Sequence, residues 1–206
     1  MFKKTKNWMY SNTHNTCVLM PMKTASTHVS WVLKYFDFES HVRIFYDDGT
    51  HKDFTNSHVQ PHDCFIPEEL VNPKTILTVR NPYERILSFF LFTRNYLLNK
   101  NVSPSDFSYF LNGLNDESND FKQLNFVIEV PPTYIIRKEN LYEDYCKINF
   151  INESDLNHLG ILQKMCVKKI NKTNLEIEKE DFLTSENKSI IYKLFKPHFH
   201  LFGYEK

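Results

Sequence analysis

The sequence has little glycine, no excess of either charge and no long apolar run. Only 4 of its 206 residues are glycine, and Lys plus Arg matches Asp plus Glu at 25 each. With no net charge there is no global field to draw the chain to nucleic acid or an anionic membrane, so an anion site must be local. The basic start lacks the apolar core of a signal peptide, and no run approaches the roughly 20 residues of a membrane span. We therefore expect no nucleic-acid partner, no membrane span and a cytoplasmic location.

The cysteines form no recognisable pattern. Cys17, Cys64, Cys146 and Cys166 are widely separated and include no Cys-x-x-Cys pair. This spacing indicates neither a zinc site nor a disulfide framework, and thiols in a reducing compartment are expected. Aromatic residues, by contrast, are abundant, with 18 Phe and 11 Tyr to supply a core. The length favours a single domain over residues 1–206.

Short apolar segments stand out as strands. Thr16 to Met20 and Thr75 to Val79 are typical of strands covered on both faces in a parallel sheet. A hairpin turning at Asp48 and Gly49 and a segment from Thr133 to Arg137 are further candidates.

Helical patterns follow the strands. Residues 29–36 carry an apolar stripe at helical spacing, and a second stripe follows the strand that ends at Val79, with Pro82 at its first helical position. Two more helices are predicted at 139–146 and 186–196, the last stopped by Pro197. The alternation predicts an α/β fold, a three-layer sandwich with a central parallel sheet flanked by helices.

A Lys- and hydroxyl-rich junction follows the first apolar strand. Lys23, Thr24, Ser26 and Thr27 fall within five positions, immediately before a helix. Ligands of parallel sheets collect at the carboxyl ends of the strands, and the amides and dipole at a helix start favour an anion. The junction thus predicts a phosphate or sulfate site, although a plain turn with a Ser or Thr cap also fits it. The glycines of a Walker loop are absent, which argues against ATP-dependent kinase chemistry.

A second junction repeats this arrangement. Arg80 ends the next apolar strand, Asn81 and Pro82 turn the chain, and Ser88 follows within the helix. An Arg at this place can offer a planar fork to a phosphate. Taken alone, it would pair as readily with a carboxylate such as Glu84.

As an ordered pair, "KTAST" (residues 23–27) and "RNPYERILS" (residues 80–88) resemble the motifs of sulfotransferases that use 3′-phosphoadenosine 5′-phosphosulfate (PAPS), particularly the carbohydrate sulfotransferase branch. Weaker likenesses in "YIIRKENL" and in the tail extend the resemblance from about Cys17 to Tyr204. Two positions depart from the family: Met22 stands where Pro is usual, and Ala25 where Gly is frequent. If the latter position needs a positive φ, alanine is strained there.

The resemblance implies a P-loop-NTPase-like fold, PAPS as the sulfuryl donor, no metal, and a hydroxyl-bearing acceptor such as a carbohydrate or small metabolite. In the family, the first motif binds the 5′-phosphosulfate and the second binds the 3′-phosphate. Carried over, this assigns the leaving phosphate and the sulfuryl group to Lys23. The same resemblance assigns the 5′ end of the donor to Lys23, Thr24, Ala25, Ser26 and Thr27, and its 3′-phosphate to Arg80 and Ser88.

Two further roles are assigned by position relative to the family. The family's general base is a His or Glu just after its second strand, which gives His58, with His62 as the alternative. Imidazole titrates near neutral pH and suits proton abstraction from a hydroxyl. A basic segment over the nucleotide corresponds to residues 168–173, including Lys172, although a Lys-rich stretch is more often a solvated surface.

Three other interpretations stay open. The chain could be a P-loop-type nucleotide or small-molecule kinase, a catalytically inactive nucleotide-binding module of the same fold, or a sulfotransferase acting on protein tyrosines. Binding and transfer assays separate them.

Overall fold

A computed structural model describes residues 2–55, 66–98, 102–126, 131–154, 156–167 and 177–206. The chain divides into two units, residues 1–79 with 127–170 and residues 80–126 with 171–206. The single domain expected from the length stays a prediction.

In the described part of the first unit, six strands form one mixed sheet in the order β4-β3-β1-β2-β5-β6. The strands are β1 (Phe2–Ser11), β2 (Thr16–Leu19), β3 (Glu39–Tyr46), β4 (His51–Thr55), β5 (Lys74–Val79) and β6 (Tyr134–Arg137). β2, β5 and β6 are parallel, with Leu19 beside Leu77 and Val79 beside Arg137. The carboxyl ends of these three strands therefore share one edge of the sheet.

The expectation of a wholly parallel sheet is wrong for the other half. β1 pairs antiparallel with both β2 and β3, and β3 pairs antiparallel with β4. Antiparallel neighbours need only a tight turn between them, whereas parallel neighbours need a crossover. The turn expected at Asp48 and Gly49 is confirmed: Gly49 has a φ of 86°, and Asp48 Oδ1 accepts the backbone N–H of Thr50 at 2.9 Å.

Helices of the first unit cover one face of this sheet. They are α1 (Ser26–Leu33), α5 (Leu141–Tyr145), α6 (Asn149–Asn152) and α7 (Leu156–Val167). The predicted stripe at residues 29–36 is confirmed, because its four apolar side chains are buried in the core of this unit. That core joins one face of the sheet to the helices and includes Met9, Val18, Met20, Ile76, Ile136, Val29, Val32, Leu33, Tyr145 and Leu162. It fixes where α1 begins relative to the end of β2.

Helices of the second unit pack around aromatic side chains. They are α2 (Pro82–Leu91), α3 (Pro104–Gly113), α4 (Asn119–Leu124), α8 (Lys179–Phe182) and α9 (Ser185–Phe202), with a π-helical segment at Phe92–Leu97. The start predicted for α2 is confirmed: Pro82 is its first residue, and Asn81 Oδ1 accepts the N–H of Tyr83 at 2.9 Å. In the part of the chain that the structure describes, no helix has both the length and the apolar character needed to cross a bilayer.

The helix expected to stop before Pro197 breaks at Phe195, whose φ of −116° and ψ of 22° are not helical. A second helical segment continues through Pro197 to Phe202, and the kink accommodates the missing N–H and the steric bulk of proline. The segment after the kink stays helical because His198, Phe199 and Phe202 bury their side chains.

His198 is a buried, uncharged group of the second unit. Its Nε2 donates to the carbonyl of Phe126 at 3.1 Å, and its ring stacks on that of Phe126 with centroids 4.5 Å apart. Burial and the neighbouring Arg85 guanidinium lower the pKa of His198 from 6.5 to about 4. The backbone contact acts in the other direction but is outweighed.

We expect His198 to make the protein sensitive to acid. Between pH 6.5 and 4 His198 is protonated in the unfolded chain but neutral in the folded chain. The free energy of unfolding therefore falls as the pH falls, by a total of about 3 kcal/mol. His198→Gln removes the titrating group and should reduce this loss. Denaturant unfolding at several pH values measures it, with His200→Gln, an exposed residue of the same helix, as the control. Equal acid sensitivity in wild type and His198→Gln would contradict the assignment.

Candidate functional site

The loop between β2 and α1 is held by a buried threonine. Thr24 is 1% exposed, and its Oγ1 donates to the carbonyl of Pro21 at 2.6 Å. The same oxygen lies 2.6 Å from Thr78 Oγ1 on β5, which must then be the donor, since Thr24 has only one hydroxyl proton. The backbone N–H of Thr24 also returns to Pro21, at 3.3 Å. The hydroxyl assigned to the ligand from sequence is thus engaged inside the protein, where it shapes the loop.

The residues on either side of Thr24 have left-handed backbone conformations. Lys23 has a φ of 66° and Ala25 a φ of 71°. For a residue with a Cβ this conformation costs about 1–2 kcal/mol, and such strain persists where the surrounding structure fixes it, often at functional sites. The sequence predicts strain at Ala25 if its φ is positive, and the observed φ of 71° meets that condition.

Replacing Ala25 with glycine should relieve this strain. Gly occupies the left-handed region without a steric penalty but loses more entropy on folding, so the net gain is about 1 kcal/mol, or roughly 2–4 °C in Tm. Thermal unfolding measures the shift. Lys164→Gly is the matched control, because Lys164 is exposed within α7 and the same substitution there should lower Tm. A lower Tm for Ala25→Gly would show that the loop is not strained.

The start of α1 offers amide donors. The backbone bond of Val29 N–H to Ala25 O, at 3.0 Å, is the first to close a turn of the helix. The amides of Thr27 and His28 come before it and have no acceptor within the helix. Together with the half-buried Lys23 and the hydroxyl of Thr27, these donors suit an anion. Ser26 is buried, so the hydroxyls expected from sequence differ in their access to a ligand.

His28 links α1 to α7 by a hydrogen bond, a contact that the sequence does not reveal. Its Nε2 donates to the carbonyl of Met165 on α7 at 3.1 Å. Burial lowers the pKa of His28, and the contact with Met165 raises it by less, so the ring is neutral at neutral pH. A His next to a Ser/Thr-rich loop could suggest catalysis; here it links two helices of the first unit.

Another cation lies at the carboxyl edge of the first unit. Arg137 ends β6 beside Val79 of β5. Its backbone N–H donates to Oδ2 of the buried Asp144 at 2.8 Å, and its Nη1 is 3.5 Å from the same oxygen. Lys147 Nζ contacts Oδ1 of Asp144 at 2.6 Å. Arg137 is therefore held at the edge by the Asp144 carboxylate, which pairs with both Arg137 and Lys147.

In the second unit, Arg80 and Glu84 form an ion pair at the start of α2. Arg80 Nη2 is 3.0 Å from Glu84 Oε2, and Lys179 Nζ is 2.6 Å from Glu84 Oε1. Burial alone would raise the pKa of Glu84, but the bonds from Lys179 and Arg80 outweigh it and keep that pKa below its usual value. Ser88 is half-buried and follows Glu84 by four positions, which places it one turn further along the same helix face. The carboxylate pairing of Arg80 that the sequence left open is the one observed.

An open cavity of about 290 Å³ lies beside this ion pair within the second unit. It is lined by Asn81, Tyr83, Glu84, Lys179, Glu180, Leu183 and Lys188. Lys188 Nζ lies 5.9 Å from the centre of the Tyr83 ring. The cavity thus combines two lysines and two carboxylates with an aromatic wall.

Several predicted residues lie outside the described part of the chain. His58 and His62 fall within residues 56–65, and Lys172 falls within residues 168–176. The general base and the basic segment over the nucleotide therefore stay predictions. Among the residues that are described, no group of three or more His, Cys, Asp and Glu side chains is placed to hold a metal ion.

Comparison with known proteins gives no relative: no family model, no curated protein and no solved structure matches the chain. The functional assignment therefore depends on the residues themselves. Among the described residues, the β2–α1 loop of the first unit and the start of α2 in the second unit each combine basic and polar residues before a helix.

Proposed function

We propose that the chain is a sulfotransferase that moves a sulfuryl group from PAPS to a hydroxyl of a carbohydrate or other small metabolite. The observation that carries the proposal is the β2–α1 loop. Two left-handed residues, Lys23 and Ala25, flank a threonine anchored to β5, directly before helix amides. A strained, anchored loop with a Lys at the carboxyl edge of parallel strands is suited to a phosphate or sulfate.

The proposed reaction is an in-line displacement at sulfur. The acceptor oxygen forms a bond to sulfur, the bond from sulfur to the 5′-phosphate oxygen breaks, and 3′-phosphoadenosine 5′-phosphate (PAP) leaves. The hydroxyl proton passes to a general base, assigned to His58 by the resemblance. Catalysis of such transfers depends mainly on positioning and on stabilising the charge of the leaving oxygens.

Lys23 and the helix start would stabilise that charge. The ammonium of Lys23 is the full positive charge of the loop, and the amides of Thr27 and His28 add fixed dipoles. Thr24 and Ala25 contribute by the shape of the backbone. Ser26 and Thr27 retain the role that the resemblance gives them, as donors to the 5′ end.

Arg80 and Ser88 are assigned to the 3′-phosphate, which separates PAPS from ATP. Support comes from the side chain of Arg80, which is only 12% exposed and lies directly before α2. The resemblance further suggests a P-loop-NTPase-like sandwich and a role for Lys172 over the nucleotide. The widely spaced cysteines fit a reducing compartment, and we propose the cytoplasm.

Titration with PAP tests the proposal most directly. Purified protein is melted with increasing PAP, and 5′-AMP, ATP and ATP with Mg²⁺ are run beside it. Selective stabilisation by PAP is expected, reaching about 2.7 kcal/mol at one hundred times its Kd. A preference for ATP with Mg²⁺ would favour the kinase interpretation. Tight PAP binding without transfer in an acceptor screen would favour the inactive module.

A further inference from the structure

The guanidinium of Arg80 has one nitrogen paired with a carboxylate and a second, buried nitrogen that no described residue accepts from. Its Nη2 donates to Glu84 Oε2 at 3.0 Å, whereas its Nε is buried and has no hydrogen-bond partner among the described residues. Nε and Nη2 form one side of the guanidinium fork, which can hold two oxygens of a carboxylate or phosphate at once. A buried N–H donor without a partner is costly, by about 1–3 kcal/mol.

Arg43, in the first unit, has the corresponding fork fully occupied. Its Nε and Nη2 donate to Oδ1 and Oδ2 of Asp53, each at 2.7 Å. Glu84 does not reach both donors of Arg80, because its other oxygen is bonded to Lys179 at 2.6 Å. Asp53 thus places both of its oxygens on the Arg43 fork, whereas Glu84 places only one oxygen on the Arg80 fork. The Nε of Arg80 could donate to a second oxygen of the group that binds Nη2.

We propose that Glu84 competes with the 3′-phosphate of PAPS and PAP for Arg80, so that the phosphate binds more tightly when the Glu84 carboxylate leaves Nη2. This inference rests on the proposed function, since that function assigns the 3′-phosphate to Arg80. A phosphate would then fill both donors of the fork, and Glu84 would set the affinity and the selectivity of the subsite.

Charge makes this a competition. Carboxylate and phosphate are both anions. Nη2 has two N–H donors and can hold two anionic oxygens, as Arg43 Nη2 holds Asp53 and Glu69, but a phosphate carries more negative charge than a carboxylate and would repel the Glu84 carboxylate beside it. The side chain of Glu84 is 28% exposed, so water screens it only in part. Lys179 and Arg80 keep the pKa of Glu84 low, and it therefore remains charged at neutral pH.

Lys179 can keep the Glu84 carboxylate paired after Glu84 has left Arg80. Its Nζ already contacts Glu84 Oε1, so Glu84 remains paired when it releases Arg80. Both residues line the cavity of about 290 Å³, which leaves room for the side chain to move. Lys179 is thus a positioning residue: it acts on the phosphate subsite through Glu84.

The first test is Glu84→Gln, with binding measured by calorimetric titration of PAP. Removing the competing charge is expected to tighten PAP binding about tenfold and to leave 5′-AMP binding unchanged, because 5′-AMP lacks the 3′-phosphate. Glu180→Gln is the matched control, since Glu180 lines the same cavity and should leave the Kd for PAP within about twofold of wild type. Melting temperatures without ligand verify that each variant is folded.

Lys179→Met is the second test and acts in the opposite direction. Glu84, left with Arg80 alone, should hold it more firmly and weaken PAP binding about threefold to tenfold. In the double variant Glu84→Gln/Lys179→Met this weakening should disappear, because no carboxylate remains. A double variant that still binds more weakly than Glu84→Gln would show that Lys179 contacts the ligand directly, which overturns its positioning role.

The outcomes separate this inference from the proposed function. If wild type binds PAP and Glu84→Gln binds it no more tightly, Glu84 is not a competitor, while the PAP site stands. If wild type shows no selective binding but Glu84→Gln does, the competition is supported and the natural protein is closed to PAP. If neither binds PAP, both the inference and the proposed function are overturned.

Discussion

Lys23→Ala is expected to weaken binding of PAP and of 5′-AMP by roughly tenfold to one hundredfold. The reason is that a charge-assisted hydrogen bond to the 5′-phosphate contributes about 1.5–3 kcal/mol. 3′-AMP should be unaffected, since its phosphate lies at the other end of the proposed ligand. With an identified acceptor, kcat should fall by about 10²–10³, because Lys23 also faces the charge that develops on the leaving oxygen.

The control for Lys23 is Lys164→Ala, an exposed lysine of α7 in the same unit. It changes the net charge equally and should leave all three affinities unchanged. Calorimetric titration of the three nucleotides gives the pattern. Equal losses for 5′-AMP and 3′-AMP in Lys23→Ala would mean that Lys23 acts as a distant charge, and the loop would lose its assigned role.

Arg80→Ala is expected to give the complementary pattern. PAP and 3′-AMP should bind roughly tenfold to one hundredfold more weakly, whereas 5′-AMP should bind as it does to wild type. The selectivity for PAP over 5′-AMP would then be lost. The physical reason is the guanidinium fork, which can hold two phosphate oxygens at once.

Arg80→Lys distinguishes the contribution of the guanidinium geometry from that of the positive charge. Lysine keeps the positive charge but is a point donor, so we expect an intermediate loss for PAP. Lys196→Ala, at an exposed position on α9, is the control for a changed net charge. If Arg80→Ala left PAP binding intact, the 3′-phosphate would be bound elsewhere. The ion pair with Glu84 would then be purely structural.

The elements that the sequence predicts well are those with a local signal. β2, β5 and the starts of α1 and α2 follow from apolar runs, helical spacing and Pro82. β1 has no such signal, because Phe2–Ser11 is largely basic and polar, and the strand depends on pairing with both β2 and β3. The direction of those pairings is not a property of any one segment, which is why the sheet proves to be mixed. At Pro197 the local signal is correct to within two residues, since the helix breaks at Phe195, and the second helical segment that follows depends on burial of His198, Phe199 and Phe202.

The candidate site is predictable to a similar degree. Lys23 and Arg80 are visible as cations after apolar strands, and Glu84 as the carboxylate four positions beyond Arg80. Thr78 and Lys179 are not visible, because their partners Thr24 and Glu84 lie 54 and 95 positions away in the chain. Contacts over such distances arise from the tertiary fold. Sequence reasoning therefore identifies candidate ligand-binding residues more readily than the residues that position them.

The contact between Thr24 and Thr78 also bears on the order of folding. The β2–α1 loop is held by local bonds from Thr24 to Pro21 and by a hydroxyl 54 positions away, and its backbone is strained at Lys23 and Ala25. Loop closure over that distance carries an entropic cost before the contact is made, so the loop should reach its native conformation only after β2 and β5 have paired. A peptide containing only β2 and α1 lacks Thr78 and with it the anchor. The native conformation of the Lys-Thr-Ala segment is therefore expected late in folding.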